Sequence, residues 1–203
     1  MIRAALLGPP TAGKSTLSYA VASALGLIQI SIGELLRRQS ATRLTPGALE
    51  RDEEVIALAR RALEGGGDGF LLDGFPRTFG QLAFLERYPA AADCRFVLLD
   101  LPRDNVRDRF LRRANCARCR RADYGGPGRR GCAACGGPLT PRPDATEQAL
   151  ARKIEEFEKH ELPIIEWLDA AGRLERLAVR GDTAIEAQRL ALMLSPRGKH
   201  VAP

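Results

Sequence analysis

At 203 residues the chain can bury a full core, with room for one domain plus small insertions. Apolar residues are 45% and charged residues 28%, both near the globular average, so it should fold, and runs such as Phe96-Val-Leu-Leu are far too short to span a membrane. The formal charge is +6, from 31 Lys and Arg against 25 Asp and Glu, with much of the excess between Arg103 and Arg130, a balance that suits a polyphosphate ligand or a nucleic acid.

In chain order, the first expected element is the strand Ile2 to Leu7, which follows Met1 directly and must be buried. That arrangement argues against a cleaved signal peptide, and a cytoplasmic protein is expected. Behind the strand stands Gly8-Pro-Pro-Thr-Ala-Gly13-Lys14-Ser15-Thr16, the pattern of Gly, four residues and Gly-Lys-Ser/Thr, and then a helix over Thr16 to Ala24. Small residues let backbone N–H groups curl around phosphate oxygens, and the helix offers its positive end. Gly8, Pro10, Ala12, Gly13, Lys14, Ser15 and Thr16 are therefore the expected ATP-side residues. Lys14 would reach the terminal phosphates, and the Ser15 hydroxyl would meet a hydrated Mg²⁺.

Further strands are expected at Leu27 to Ile30, Phe70 to Asp73, Phe96 to Asp100 and Leu174 to Val179. Helical patterns lie between them, at Gly33 to Gln39, Glu53 to Glu64, Phe79 to Arg87, Asp104 to Arg113, Thr146 to Ala171 and Thr183 to Leu194. Strands alternating with helices imply an α/β, three-layer fold of the P-loop kind, its parallel sheet covered by helices on both faces. Ligands of such sheets sit beyond the carboxyl ends of the strands. Trp167, with Phe157 and Ile164, follows helical spacing and is expected in the core, while lone Cys94 reads as a buried small hydrophobe.

The stretch from Ala114 to Pro143 has no helical period, but many Gly, Pro and Arg residues and four cysteines. Cys116-Ala-Arg-Cys119 and Cys132-Ala-Ala-Cys135 form two pairs separated by twelve residues. Two such knuckles complete a tetrahedral Zn²⁺ shell, and four thiolates leave no open position, so the metal is expected to be structural. Two disulfides are the weaker alternative.

Taken together these pieces resemble the adenylate kinases, specifically the zinc-containing bacterial type with a long lid. Besides the phosphate loop, Ile30-Ser-Ile-Gly33-Glu-Leu-Leu-Arg37, Phe70-Leu-Leu-Asp73-Gly-Phe-Pro-Arg77-Thr-Phe-Gly-Gln81, Arg109 with Arg113, and Arg142-Pro-Asp144 look like segments of that family. The resemblance implies one kinase domain with core segments 1–30, 55–113 and 144–194, a short monophosphate-binding arm at 31–54, a zinc-ribbon-like lid at 114–143 and a tail at 195–203. It implies reversible phosphoryl transfer from Mg·ATP to AMP, giving two ADP, by a monomer that takes neither nucleic acid nor membrane as partner. Lys14, Asp73, Arg77, Arg113 and Arg142 would be catalytic. Arg109 would lie on the donor adenine, with Arg113 closing over the phosphates. Ile32, Arg37, Leu49, Gly74, Arg77, Gln81, Arg142 and Lys153 would serve the acceptor, and Asp73 would orient Mg²⁺ through its waters.

Several positions depart from the family pattern. Thr11 stands where a Gly is usual, so loop curvature there is less free. Ile32 replaces a Thr, which removes a hydroxyl near the acceptor base and keeps UMP, CMP or another acceptor as an alternative. The acceptor arm is also shorter. Lys153 falls on an Arg position, with Arg152 beside it, and Ala145 replaces a second acid. A lysine cannot reproduce a two-pronged contact. A nucleic-acid-binding zinc protein is the reading from another class, but only Tyr124 is aromatic among the lid arginines, so base stacking would be poor.

Overall fold

In the computed structural model the described residues are 1–39, 52–65, 67, 69–119, 122–124, 131–132, 135–181 and 183–195, without the side chains of 37–39. The apolar runs form strands Arg3–Leu7 (β1), Ile28–Ser31 (β2), Phe70–Asp73 (β3), Arg95–Asp100 (β4) and Leu174–Ala178 (β8). They make one sheet in the order β2-β3-β1-β4-β8, every pairing parallel. The inner strands β1, β3 and β4 are buried on both sides and so read as apolar runs, whereas the edge strands β2 and β8 keep exposed positions and carry Gln29, Glu175 and Arg176.

The alternation along each strand divides the core. Ala5, Leu7, Phe70, Leu72, Phe96 and Leu98 join one buried cluster, and Ala4, Leu6, Leu71, Val97 and Leu99 the other. Helices Asp52–Glu64 (α3), Phe79–Arg87 (α4) and Leu162–Ala170 (α7) pack through Val55, Leu82 and Leu168 on the first. Helices Lys14–Leu25 (α1), Arg103–Leu111 (α5) and Thr183–Leu194 (α8) pack through Leu17, Phe110 and Leu190 on the second. Ile32–Gln39 (α2) begins with Ile32, which is 2% exposed within the first cluster. Among the described residues no helix is long and apolar enough to cross a membrane.

The expected long helix from Thr146 to Ala171 is divided. Glu147–Glu156 (α6) starts at Thr146, whose hydroxyl accepts from the Ala149 N–H, and a π turn over Phe157–Glu161 leads into α7. Pro163, in the first turn of α7, has no N–H to give and its ring crowds the carbonyl four residues back. The chain widens ahead of it, so that the Leu162 N–H donates to the Phe157 carbonyl. Trp167 departs from its expected place: it is 44% exposed, with the Arg173 guanidinium 5.6 Å from its ring. The sheet-facing stripe of α7 is taken by Ile164, Ile165 and Leu168, leaving Trp167 at its flank.

The cysteine-bearing stretch makes its own three-stranded antiparallel sheet. Ala114–Cys116 (β5) lies between Ala122–Asp123 (β6) and Leu139–Pro141 (β7). Cys94 is buried, and burial pushes its thiol up to about 12.

Candidate active site

The loop from Gly8 to Gly13 leaves β1 at the sheet's carboxyl edge, where Ser31 of β2 and Asp73 of β3 also end. Gly8 has φ +143°, and a Cβ there would lie 2.7 Å from the Leu99 carbonyl oxygen, so only glycine fits. Thr11 takes φ +64°, the left-handed turn that its β-branched side chain disfavours by about 1–3 kcal/mol. The loop curves nonetheless, because the Thr11 hydroxyl donates to the carbonyls of Pro10 (2.6 Å) and Val106 (3.2 Å) and so ties the turn to α5. Gly13 caps α1 with no side-chain bond, and Lys14, Ser15 and Thr16 form the first turn beyond it.

Lys14 folds back so that its ammonium donates to the Gly8 and Pro9 carbonyls. Burial pulls its pKa below the ordinary lysine value, Glu161 and Asp73 oppose that shift, and Arg77 adds to it. Asp73 is 4% exposed and accepts from the Ser31 hydroxyl at 2.9 Å. Arg77 donates from Nε to the Gly74 carbonyl at 3.0 Å, and Glu161 stands 3.5 Å from the same nitrogen.

On the other side, Arg142 holds Asp144 with a two-pronged pair, Nε to Oδ1 at 2.8 Å and Nη2 to Oδ2 at 3.1 Å. Burial pushes the Asp144 carboxyl up, but the bonds from Arg142 and the charges of Arg142, Arg113 and Lys153 outweigh it and hold the group below its ordinary value. Lys153 is half-buried, and its pKa is lowered by burial, then by Arg113, with Asp144 opposing and Arg77 and Arg142 adding. Arg152 beside it is exposed. Arg109 lies 5.5 Å from the Tyr124 ring, and Arg113 5.1 Å from that of Phe110.

Gln81 is 2% exposed and both ends of its amide are engaged, Oε1 accepting from the Arg77 N–H at 2.7 Å and Nε2 donating to Asp52 at 2.9 Å. Of the remaining acceptor-side residues, Arg37 lies on α2 but its side chain is outside the described residues, as is Leu49.

In the small sheet, the Sγ atoms of Cys116, Cys119, Cys132 and Cys135 all lie within 4.8 Å of one another. Cys116 and Cys135 are 3.5 Å apart, Cys119 and Cys132 3.7 Å. A disulfide needs about 2.05 Å, whereas Zn–S bonds of about 2.3 Å set tetrahedral sulfurs roughly 3.8 Å apart. None of the four is in a disulfide, and their spacing fits a metal. The Cys119 N–H, foremost among several hydrogen bonds, brings the Cys116 thiol down to about 6.

The family model for adenylate kinase matches residues 6–173. A protein named adenylate kinase from Acidothermus cellulolyticus is 35% identical, the match covering 89% of this chain and 92% of the relative. Adenylate kinases of Moorella thermoacetica and Streptomyces avermitilis are 31% and 32% identical, covering 94% and 93% of this chain and 96% and 94% of the relatives. The chain belongs to the adenylate kinase family. It is accordingly a nucleoside monophosphate kinase, a phosphotransferase.

Three side chains at this adenylate kinase family site were not singled out in the sequence as functional. Tyr124 brings the lid sheet against Arg109. Glu161 falls on the apolar stripe of Leu150, Ile154, Phe157, Ile164 and Leu168, and a lone acid on such a stripe was a legible signal. Asp52 left no local signal. Its Oδ2 accepts from the Thr78 hydroxyl at 2.6 Å and its Oδ1 from Gln81, fastening α3 to the start of α4. A Cβ at Gly80 would lie 2.7 Å from Asp52 Oδ2. Gly80→Ala should therefore push Asp52 off its partners and lower the unfolding free energy by about 1–2 kcal/mol. Urea unfolding checks this, and an unchanged midpoint and slope would exclude the fastening role.

Proposed function

We propose that the chain transfers the terminal phosphoryl group of Mg·ATP reversibly to AMP, giving two ADP. The observation that carries this reading is one charged crevice at the sheet's carboxyl edge, in which Arg77 links two groups: Lys14 with Asp73 on one side, and Lys153 with Arg113, Arg142 and Asp144 on the other. Two polyanions meeting end to end need such a setting, because the migrating phosphoryl carries its charge on the equatorial oxygens and catalysis is mainly positioning and neutralisation.

Lys14 and the backbone of Gly8, Pro10, Ala12 and Gly13, with Ser15 and Thr16, hold the triphosphate. Lys14 must first leave the Gly8 and Pro9 carbonyls, and a phosphate oxygen is the stronger acceptor. Arg77 grips the acceptor's phosphate through its planar fork, with Arg37 assisting and Gly74 beside it, and Leu49 is read as a further acceptor residue. Arg113, Arg142 and Lys153 close over the bridging phosphates from the lid side. The single ammonium of Lys153 supplies charge there without a fork. Arg109, already against the Tyr124 ring, carries the donor adenine on its other face. Gln81 reads the acceptor base: its amide offers four hydrogen-bonding positions, and Arg77 and Asp52 engage two of them. Ile32 beneath adds only apolar surface. Asp73 and Ser15 form an all-oxygen donor set that suits a hard, hydrated Mg²⁺, which when bound neutralises charge on the triphosphate.

Structural Zn²⁺ on Cys116, Cys119, Cys132 and Cys135 is the metal that the sulfur spacing supports. Residues 31–54 and 114–143 are read as the acceptor arm and the lid on a core of 1–30, 55–113 and 144–194, with 195–203 as tail. A cytoplasmic monomer is the form that family membership supports. The test is a panel of AMP, GMP, CMP and UMP with Mg·ATP, following diphosphate formation. AMP should exceed each of the others in kcat/KM by roughly tenfold or more, the discrimination that one or two base hydrogen bonds provide. Equal or better use of a pyrimidine acceptor would overturn the assignment to AMP.

A further inference from the structure

We infer that Glu161 is a built-in counter-ion of the acceptor-phosphate site, a carboxylate that holds Arg77 until the acceptor's phosphate displaces it. The inference rests on the reading of Arg77 as the acceptor-phosphate clamp.

Its basis is position. Glu161 ends the π turn between α6, which packs Leu150 and Ile154 on the second cluster, and α7, which packs Ile164, Ile165 and Leu168 on the first. A carboxylate there has left most of its water, its side chain being only 12% exposed, so it requires cationic company. It finds Arg77 Nε at 3.5 Å, and its charge also acts on the buried Lys14. The spacing to Arg77 is that of a loose ion pair, longer than the 3.0 Å bond from the same nitrogen to Gly74. A loose pair is one that a better anion can replace.

The backbone helps to fix it there. Glu161 closes the π turn and stands just ahead of Leu162 and Pro163, where the N–H that would have bonded the Lys159 carbonyl is missing.

The consequence follows from Coulomb's law. Lys14 and Arg77 without a resident anion would attract any small phosphate. With Glu161 beside Arg77, an incoming phosphate of charge near −2 must displace a resident carboxylate from the fork and then sit near that like charge, which offsets part of the attraction of Lys14, Arg77 and the cations of the lid side. Glu161 thus lowers affinity for every anion at this position. The base-binding contacts keep an acceptor nucleotide bound despite that loss, whereas bare phosphate, lacking them, is left too weakly held to occupy the site.

The experiment measures binding of AMP and of inorganic phosphate by calorimetry, without ATP, in wild type, Glu161→Gln, Glu161→Asp, Arg77→Ala and the Glu161→Gln/Arg77→Ala double variant. Glu161→Gln should bind AMP roughly five- to thirtyfold more tightly, the range for removing one like charge a few ångströms away in a partly wet site. Inorganic phosphate should gain at least as much. Glu161→Asp, which keeps the charge, should stay near wild type, and the gain should vanish in the double variant. Unchanged or weaker AMP binding by Glu161→Gln, while Arg77→Ala loses affinity, overturns the counter-ion. So does an equal gain in Glu161→Asp, or a gain that survives undiminished without Arg77. If Arg77→Ala alone binds AMP normally, it is the phosphate role of Arg77 that falls.

Discussion

Arg77→Ala should lower kcat/KM for the acceptor by roughly a thousandfold while leaving the fold intact. An arginine that neutralises transferring phosphoryl groups contributes on the order of 10³ or more to the rate, because its fork matches two oxygens at once and needs no reorganisation as charge moves. The folded state loses little. Side-chain exposure of Arg77 is 41%, its contact with Glu161 is a loose one at 3.5 Å, and Lys14 remains as a cation acting on Glu161 when Arg77 is removed. The backbone N–H that holds Gln81 is kept by alanine. Steady-state kinetics beside a thermal melt separates the two effects. Arg77→Lys should restore only a small part of the activity, since it returns the charge without the fork. Turnover near the wild-type value in Arg77→Ala would remove the residue from the mechanism.

Removing the lid metal, or replacing Cys116 and Cys119 together by serine, should unfold the segment around β5, β6 and β7. Those strands are two or three residues each, and Cys116 at 1% and Cys132 at 5% exposure are much of what the segment buries. A module with so little core takes its folding free energy from the metal, for which zinc knuckles in peptides give about 10–16 kcal/mol. Because the segment is flanked by Arg113 and Arg142, whose backbones are joined by a 3.1 Å hydrogen bond, activity should fall as well. We expect the melting temperature to drop by roughly 5–15 °C, because at about 2–4 °C per kcal/mol only the few kcal/mol by which the lid segment is coupled to the core register in the global melt, the rest being lost in local unfolding. New proteolytic cleavage should appear between residues 114 and 141. A melting curve unchanged after verified metal loss would mean that the cysteines are not a structural site.

The features legible in the sequence are those whose parts lie close together in the chain. The phosphate loop needs one strand end and one helix start in direct succession, and each Cys knuckle closes over two intervening residues. The three inner strands were readable because a doubly covered parallel strand must be apolar on both sides, and Phe79–Arg87 matched its expected range to the residue. Asp52 was not readable. It meets Thr78 and Gln81 across 26 and 29 residues, and only the packing of α3 against α4 brings them together. Trp167 failed from the opposite cause: helical spacing places a residue near the inner face, but which neighbour takes the contact depends on how the helix is rotated against the sheet.

The order of apolar runs, the glycines and lysine of the loop, and the paired cysteines determined by themselves a layered α/β kinase with a metal-binding insertion, since backbone geometry and ligand chemistry act over a few residues. Only the tertiary structure decided which charges confront each other. Glu161 and Arg77 are 84 positions apart, and no local pattern records a Coulomb interaction that exists only once the fold brings both to the same place.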